Sequence, residues 1–266
     1  MISDDKSPPP ALPDPWAALR SHTAARIALG RAGTSLPTRE LLAFQADHAR
    51  AMDAVHGELD RGALAAELRA AGLESIALES LADSRQTYLH RPDFGRRLDD
   101  DSRSRLQLLA ASSQKPDVVI AIVDGLSAIA AQRHAVPVAR ALAERLCGAG
   151  HTVGAVPLLR YGRVALQDEL GAILGARAVV SLIGERPGLG SPDSLGGYLV
   201  YNPRPGNTDA QRNCVSNIRP EGLPYAAATE ALFWLTTEAL RRGISGVQLK
   251  DDRQLTAPPT QETLPR

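Results

Sequence analysis

Seven consecutive residues, Gly184-Glu185-Arg186-Pro187-Gly188-Leu189-Gly190, offer the densest chemistry in the chain. Three glycines let backbone pass close to a ligand or adopt positive φ. Glu185 adds an acceptor and Arg186 a forked donor. The set suits a neutral, amide-rich or phosphate-bearing ligand. The alternative is a strand-to-loop turn with a surface ion pair. A second segment, Arg160-Tyr161-Gly162-Arg163-Val164, places a guanidinium beside an apolar residue. Arg163 could meet a phosphate, and Val164 could give a backbone amide and an apolar wall; a plain basic turn is the competing reading. A third, Arg212-Asn213-Cys214-Val215-Ser216-Asn217, holds one of two cysteines. A lone cysteine is usually a small buried hydrophobe. No histidine near it in sequence would activate a thiolate, so a nucleophilic role is not expected.

Common phosphate signatures are missing. The glycine loop lacks the Gly-Lys-Ser/Thr end of a P-loop, and the first apolar run ends in Asp124-Gly125-Leu126-Ser127 without G-x-G-x-x-G spacing. The histidines show no metal-ligand spacing. With no acid–base or nucleophile constellation in view, the residues point to a subunit that binds and positions.

The elements that must hold these segments follow from periodicity. Val118–Val123 is a short β-branched apolar run. A helix is expected from about 126 to 146 despite Pro137, then a strand over 152–159, a helix over 166–174, a strand over 178–183 and another over 197–201. A long helix over 224–241 and a short strand over 246–249 complete the pattern. Apolar strands alternating with helices imply a parallel sheet covered on both faces. Ligand crevices in such sheets lie beyond the carboxyl ends of the strands, where Asp124-Gly125, Arg160–Val164 and Gly184–Gly190 fall. The first half reads as helical: an amphipathic stretch over 16–29, a helix entered at Pro37, and another over 58–71 ended by Gly72. Residues 84–98 lack periodicity and read as a structured loop.

The expected fold is therefore α/β. A small helical N-terminal region (16–98) precedes a Rossmann-like domain with a mostly parallel sheet (99–250). A disordered lead-in (1–15) and tail (251–266) flank them. The 266 residues suffice for a sizeable core. Lys+Arg and Asp+Glu both number 30, and a neutral chain has no built-in pull toward nucleic acid or an anionic membrane. Only Lys6, Lys115 and Lys250 among the cations are lysines, and genome composition is the plain reading of that bias. Near-zero charge favours association, so a subunit is expected. The longest apolar run is far short of the roughly 18 residues a bilayer needs. Residues 1–15 are acidic and proline-rich without an apolar h-region, so no signal peptide is expected. Cys147 and Cys214 are far apart and fit a reduced cytosolic setting.

Several ordered segments together resemble the small (light) subunit of ethanolamine ammonia-lyase. They are Gly30-Arg31-Ala32-Gly33, Ala46-Asp47-His48, Tyr88 through Leu98, Val123 through Ser127, Arg160 through Val164, Gly184 through Gly190, and Cys214-Val215-Ser216-Asn217-Ile218. The resemblance spans about 16–249. It implies a subunit of an adenosylcobalamin-dependent lyase that converts ethanolamine to acetaldehyde and ammonia, with little or no activity alone. A larger TIM-barrel subunit would hold the substrate, with cobalamin between the two chains. The cobalamin contacts carried over are Val164, Glu185 and Cys214, with no catalytic residue and no protein ligand to the metal. The spacing before Cys214 is one residue shorter than the family form around 205–208. Some members carry a longer N-terminal extension linked to packaging in a bacterial microcompartment, so a cytoplasmic or microcompartment location is implied; this lead-in is short and proline-rich. Some cobalamin domains present an imidazole to cobalt through D-x-H-x-x-G. Here Ala149 stands at the Asp position before His151, which also precedes its strand. That fits base-on binding, in which the cofactor's own benzimidazole stays on cobalt.

Overall fold

A computed structural model describes residues 14–23 and 25–251; nearly all of the expected lead-in and tail lies outside them. A six-stranded sheet runs in the order β1-β3-β2-β4-β5-β6. The strands are β1 (Ser75–Glu79), β2 (Val118–Val123), β3 (Val156–Arg160), β4 (Ala178–Gly184), β5 (Leu195–Tyr201) and β6 (Arg212–Ile218). The first four in spatial order pair in parallel, while β5 is antiparallel to both β4 and β6. The sheet is thus mostly parallel, as expected, with an antiparallel ribbon at one side.

Every residue of β2 and β4 is buried, which is why both read as unbroken apolar runs. Alternation assigns their side chains to two cores. Val118, Ile120 and Ile122 join α2 (Arg61–Ala70), α5 (Ala128–Gly148) and α7 (Tyr225–Arg242) on one face. Val119, Ala121 and Val123 join α4 (Asp100–Ser112) and α6 (Leu166–Leu174) on the other.

Several expectations are corrected. Residues 84–98 contain the helix α3 (Arg85–His90) and a 3₁₀ turn, because Ser84 caps the Thr87 N–H and starts a helix too short to show a period. Among the described residues of 16–29 a 3₁₀ turn, Ala17–His22, stands in place of the expected amphipathic helix; Thr23 is extended and Ala28 takes φ +52°. The strand expected over 152–159 begins at Val156, since Thr152 is tied to Asp117 instead. Residues 246–248 form a 3₁₀ turn rather than a strand, with Gly246 at φ +72°. The edge strands β1 and β6 carry no long apolar run and went unseen, as did the polar helix α4. The helix α1 (Thr38–His56) follows Pro37 as expected, yet only Ala54 in it is buried.

One junction fixes the ligand edge. Gly125 turns the chain after β2 at φ +56°, and a Cβ there would lie 2.2 Å from the Gly184 carbonyl. A Cβ on Gly184 would in turn lie 2.0 Å from the Ser127 carbonyl. Glycine at both positions lets the ends of β2 and β4 touch.

Candidate functional site

Two adjoining chambers of about 620 and 400 Å³ flank the loop after β3; the smaller reaches the carboxyl end of β4 at Gly184 and Glu185, and the larger runs along β5 and β6 at Tyr198, Arg212 and Cys214. Arg163, Val164 and Tyr198 line both. Cys214 lines the larger and Glu185 the smaller, so the three residues singled out in sequence reach one groove from three segments. The crevice sits where a parallel sheet puts one.

Glu185 follows β4 directly, and its side chain is fixed before any ligand arrives. Oε2 accepts from Ser194 Oγ and, at 3.2 Å, from the Asn217 N–H; Oε1 accepts from Ser216 Oγ at 2.6 Å. The carboxylate lies against Gly196, where a Cβ would come within 2.7 Å of Oε1. A carboxylate has about four lone-pair sites. Three donors leave roughly one for a ligand.

Val164 sits between β3 and α6. Its N–H donates to no other described residue, while its carbonyl accepts from the Gln167 N–H at 3.2 Å. Arg163 differs from its phosphate-binding reading. Its guanidinium turns back over the Tyr88 ring, 4.1 Å from the centroid, and donates to the Tyr88 carbonyl at 2.8 Å.

Cys214 is exposed at the rim, not a buried hydrophobe, because β6 is an edge strand with polar neighbours. It pairs with Tyr198 across the β5–β6 ladder. The thiol itself tucks against that strand, and burial pushes its pKa up despite a hydrogen bond from the Tyr198 side chain. A thiol held protonated is a poor nucleophile. Burial likewise raises the Tyr198 phenol.

Two buried ion pairs underlie the groove, and sequence spacing missed both. Arg212 and Asp168 pair with both side chains almost fully buried. Burial pushes Asp168 up to about 6 against the pull of Arg212. Gln167, with its amide turned to satisfy its neighbours, donates to the Tyr198 carbonyl and accepts from Arg212 Nε. Asp124 and Arg85 pair at 3.1 Å. Burial pushes Asp124 up to about 6, opposed by Arg85 and by the backbone N–H groups of Tyr161, Gly162 and Gly125. The partners lie 39 and 44 residues apart in sequence, so only the folded sheet edge brings them together.

Among the described residues no group of His, Cys, Asp and Glu could hold a metal ion, and none of their helices is long and apolar enough to cross a membrane. His151 precedes β3, at the edge opposite the groove.

Fold and groove define an α/β chain with a ligand-sized crevice at the carboxyl edge of its sheet. Residues 13–250 match the family model described as ethanolamine ammonia-lyase light chain (EutC). The small subunit of ethanolamine ammonia-lyase from Azotobacter vinelandii is 53% identical over 247 residues, 92% of each chain. Its namesake from Ralstonia nicotianae is 54% identical over 248 residues, covering 93% of this chain and 92% of the relative. That from Pseudomonas syringae pv. tomato is 53% identical, covering 91% and 85%. The chain belongs to the ethanolamine ammonia-lyase small-subunit family. A small subunit implies a larger companion.

Proposed function

We propose that this chain is the small subunit of an adenosylcobalamin-dependent ethanolamine ammonia-lyase and holds cobalamin in the carboxyl-edge groove. The large subunit closes over it and carries the substrate. Ethanolamine would leave as acetaldehyde and ammonia, and this chain alone would show little or no activity. The observation that carries the reading is the convergence of Val164, Glu185 and Cys214 on adjoining chambers.

The residues fit the group. A corrinoid is large and rimmed with amides, each able to donate and accept. Glu185 Oε1 keeps one acceptor site, and the Val164 N–H donates to no other described residue. Val164, Ala165 and Pro92 give apolar contact. The groove is open, as a site completed by a second chain must be. When bound, adenosylcobalamin supplies radical chemistry through its cobalt–carbon bond.

This chain's part is to bind, orient and exclude water. Glu185 is pre-set by three donors, so no side-chain freedom is lost when a ligand amide reaches it. Region 99–250 is the cobalamin-binding unit, and region 16–98 adds β1 and the α3 segment beside it. The free cysteines suit a cytoplasmic setting.

The test is co-expression with the large subunit, then binding of cyanocobalamin to wild type and Glu185→Ala. We expect weaker binding for Glu185→Ala with little change in melting temperature. Unchanged affinity with a lowered melting temperature would contradict the proposal.

A further inference from the structure

We infer that Arg85 is a positioning residue for the groove: paired with Asp124, it holds the 160–165 loop and so places the Val164 amide. The inference rests on the cobalamin reading above. Arg85 donates to Asp124 Oδ2 at 3.1 Å, to the Gly125 carbonyl at 2.7 Å and to the Gly57 carbonyl at 3.3 Å. Its guanidinium lies 5.0 Å from the Tyr161 ring centroid and 5.2 Å from that of Tyr88.

Tyr161 needs such support. It takes φ +55°, a left-handed region that is sterically unfavourable for a non-glycine residue. A conformation of that kind persists only where its surroundings over-determine it. The Tyr161 ring is buried against Tyr88, Arg85 and the Arg160 guanidinium. Its carbonyl accepts from Ser80 Oγ at 2.9 Å. The next carbonyl, of Gly162, accepts from Tyr88 Oη at 3.3 Å. The Arg163 N–H donates to the Gly95 carbonyl at 2.7 Å, and its guanidinium to that of Tyr88. The anchors of the loop therefore come from 80–95, from β3 and from Asp124 just after β2, and Arg85 joins the first of these to the last.

A buried ion pair adds little net stability compared with an apolar pair of the same volume. Its place directly under the groove fits a geometric task better. Asp124 is faced by Arg85 and Tyr88 from α3 and by backbone N–H groups of Tyr161, Gly162 and Gly125. Arg85 is its charged partner in that set.

The experiment uses the assembled small–large subunit complex and cyanocobalamin as probe. Affinity is measured by equilibrium dialysis for wild type, Arg85→Lys and the double variant Arg85→Met with Asp124→Asn, which leaves no buried charge unpaired. Each is assayed at a temperature where circular dichroism shows it folded. We expect the double variant to raise Kd at least about tenfold, a loss of about 1.4 kcal/mol. Subunit assembly should be unchanged and Arg85→Lys should recover part of the loss. Wild-type affinity in the folded double variant overturns the positioning role and leaves the cobalamin reading intact. Loss in the double variant with no recovery in Arg85→Lys also overturns it, whether or not assembly is kept. Failure of the wild-type complex to bind cyanocobalamin overturns the underlying reading itself.

Discussion

Ser216 donates to Glu185 Oε1 at 2.6 Å across the seam between the β4 loop and β6. Edge strand and binding loop are thereby one unit, and a change on β6 moves a carboxylate 31 residues away in sequence. Ser216→Ala removes this donor from a partly solvated site, which typically costs about 0.5–1.5 kcal/mol. The expected result is a severalfold weaker cyanocobalamin affinity of the complex, by calorimetric titration. The melting temperature should fall by only a few degrees.

Gly196 tests the same carboxylate sterically. A Cβ there would lie 2.7 Å from Glu185 Oε1 and 3.0 Å from the Tyr198 ring. Gly196→Ala should displace the side chain and weaken cyanocobalamin binding about as much as Glu185→Ala does. A combined variant should add little, because both act on one group. Additive losses would show that Gly196 serves something other than Glu185.

Acid should stabilise this chain locally before it unfolds it. Asp124 and Asp168 are pushed up to about 6 from 3.8. The folded state thus holds protons that the unfolded chain has released, and unfolding releases them between about pH 4 and 6. Stability from these two groups is greatest below that window and is lost as pH rises through it. Glu238 works the other way, held near 2 by Arg241 and Arg242, but its effect lies below 4.5. Urea titrations from pH 5 to 7 should show a contribution falling with pH, and Asp124→Asn should flatten that slope.

Arg212→Met leaves Asp168 buried without its cation. Breaking such a pair typically costs about 3–5 kcal/mol. Asp168 can take a proton, so the loss should be larger at pH 8 than at pH 5. Equal losses at both pH values, by chemical denaturation, would show that Asp168 is not charged in the folded wild type.

Much of the sheet was legible because β2 and β4 are buried on both faces, so their apolar runs cannot be helix surfaces of that length. The groove loops were legible because they follow those runs directly. What stayed hidden depends on tertiary partners. The polar strand β6 shows no pattern until β5 supplies its ladder, and Cys214 looked like core because its edge position was unknown. Ser194, Ser216 and Asn217 offer two ordinary hydroxyls and a backbone N–H until the chain folds them onto Glu185. Arg85 and Arg212 were two among many arginines, and only burial beside Asp124 and Asp168 sets them apart.

The central claim is that the groove between Val164, Glu185 and Cys214 holds one face of cobalamin against the large subunit. A crystal structure of the two-subunit complex with cyanocobalamin tests it directly. The account predicts corrin amides within hydrogen-bond distance of the Val164 N–H and Glu185 Oε1. A corrin bound elsewhere, with this groove open to solvent, would contradict it.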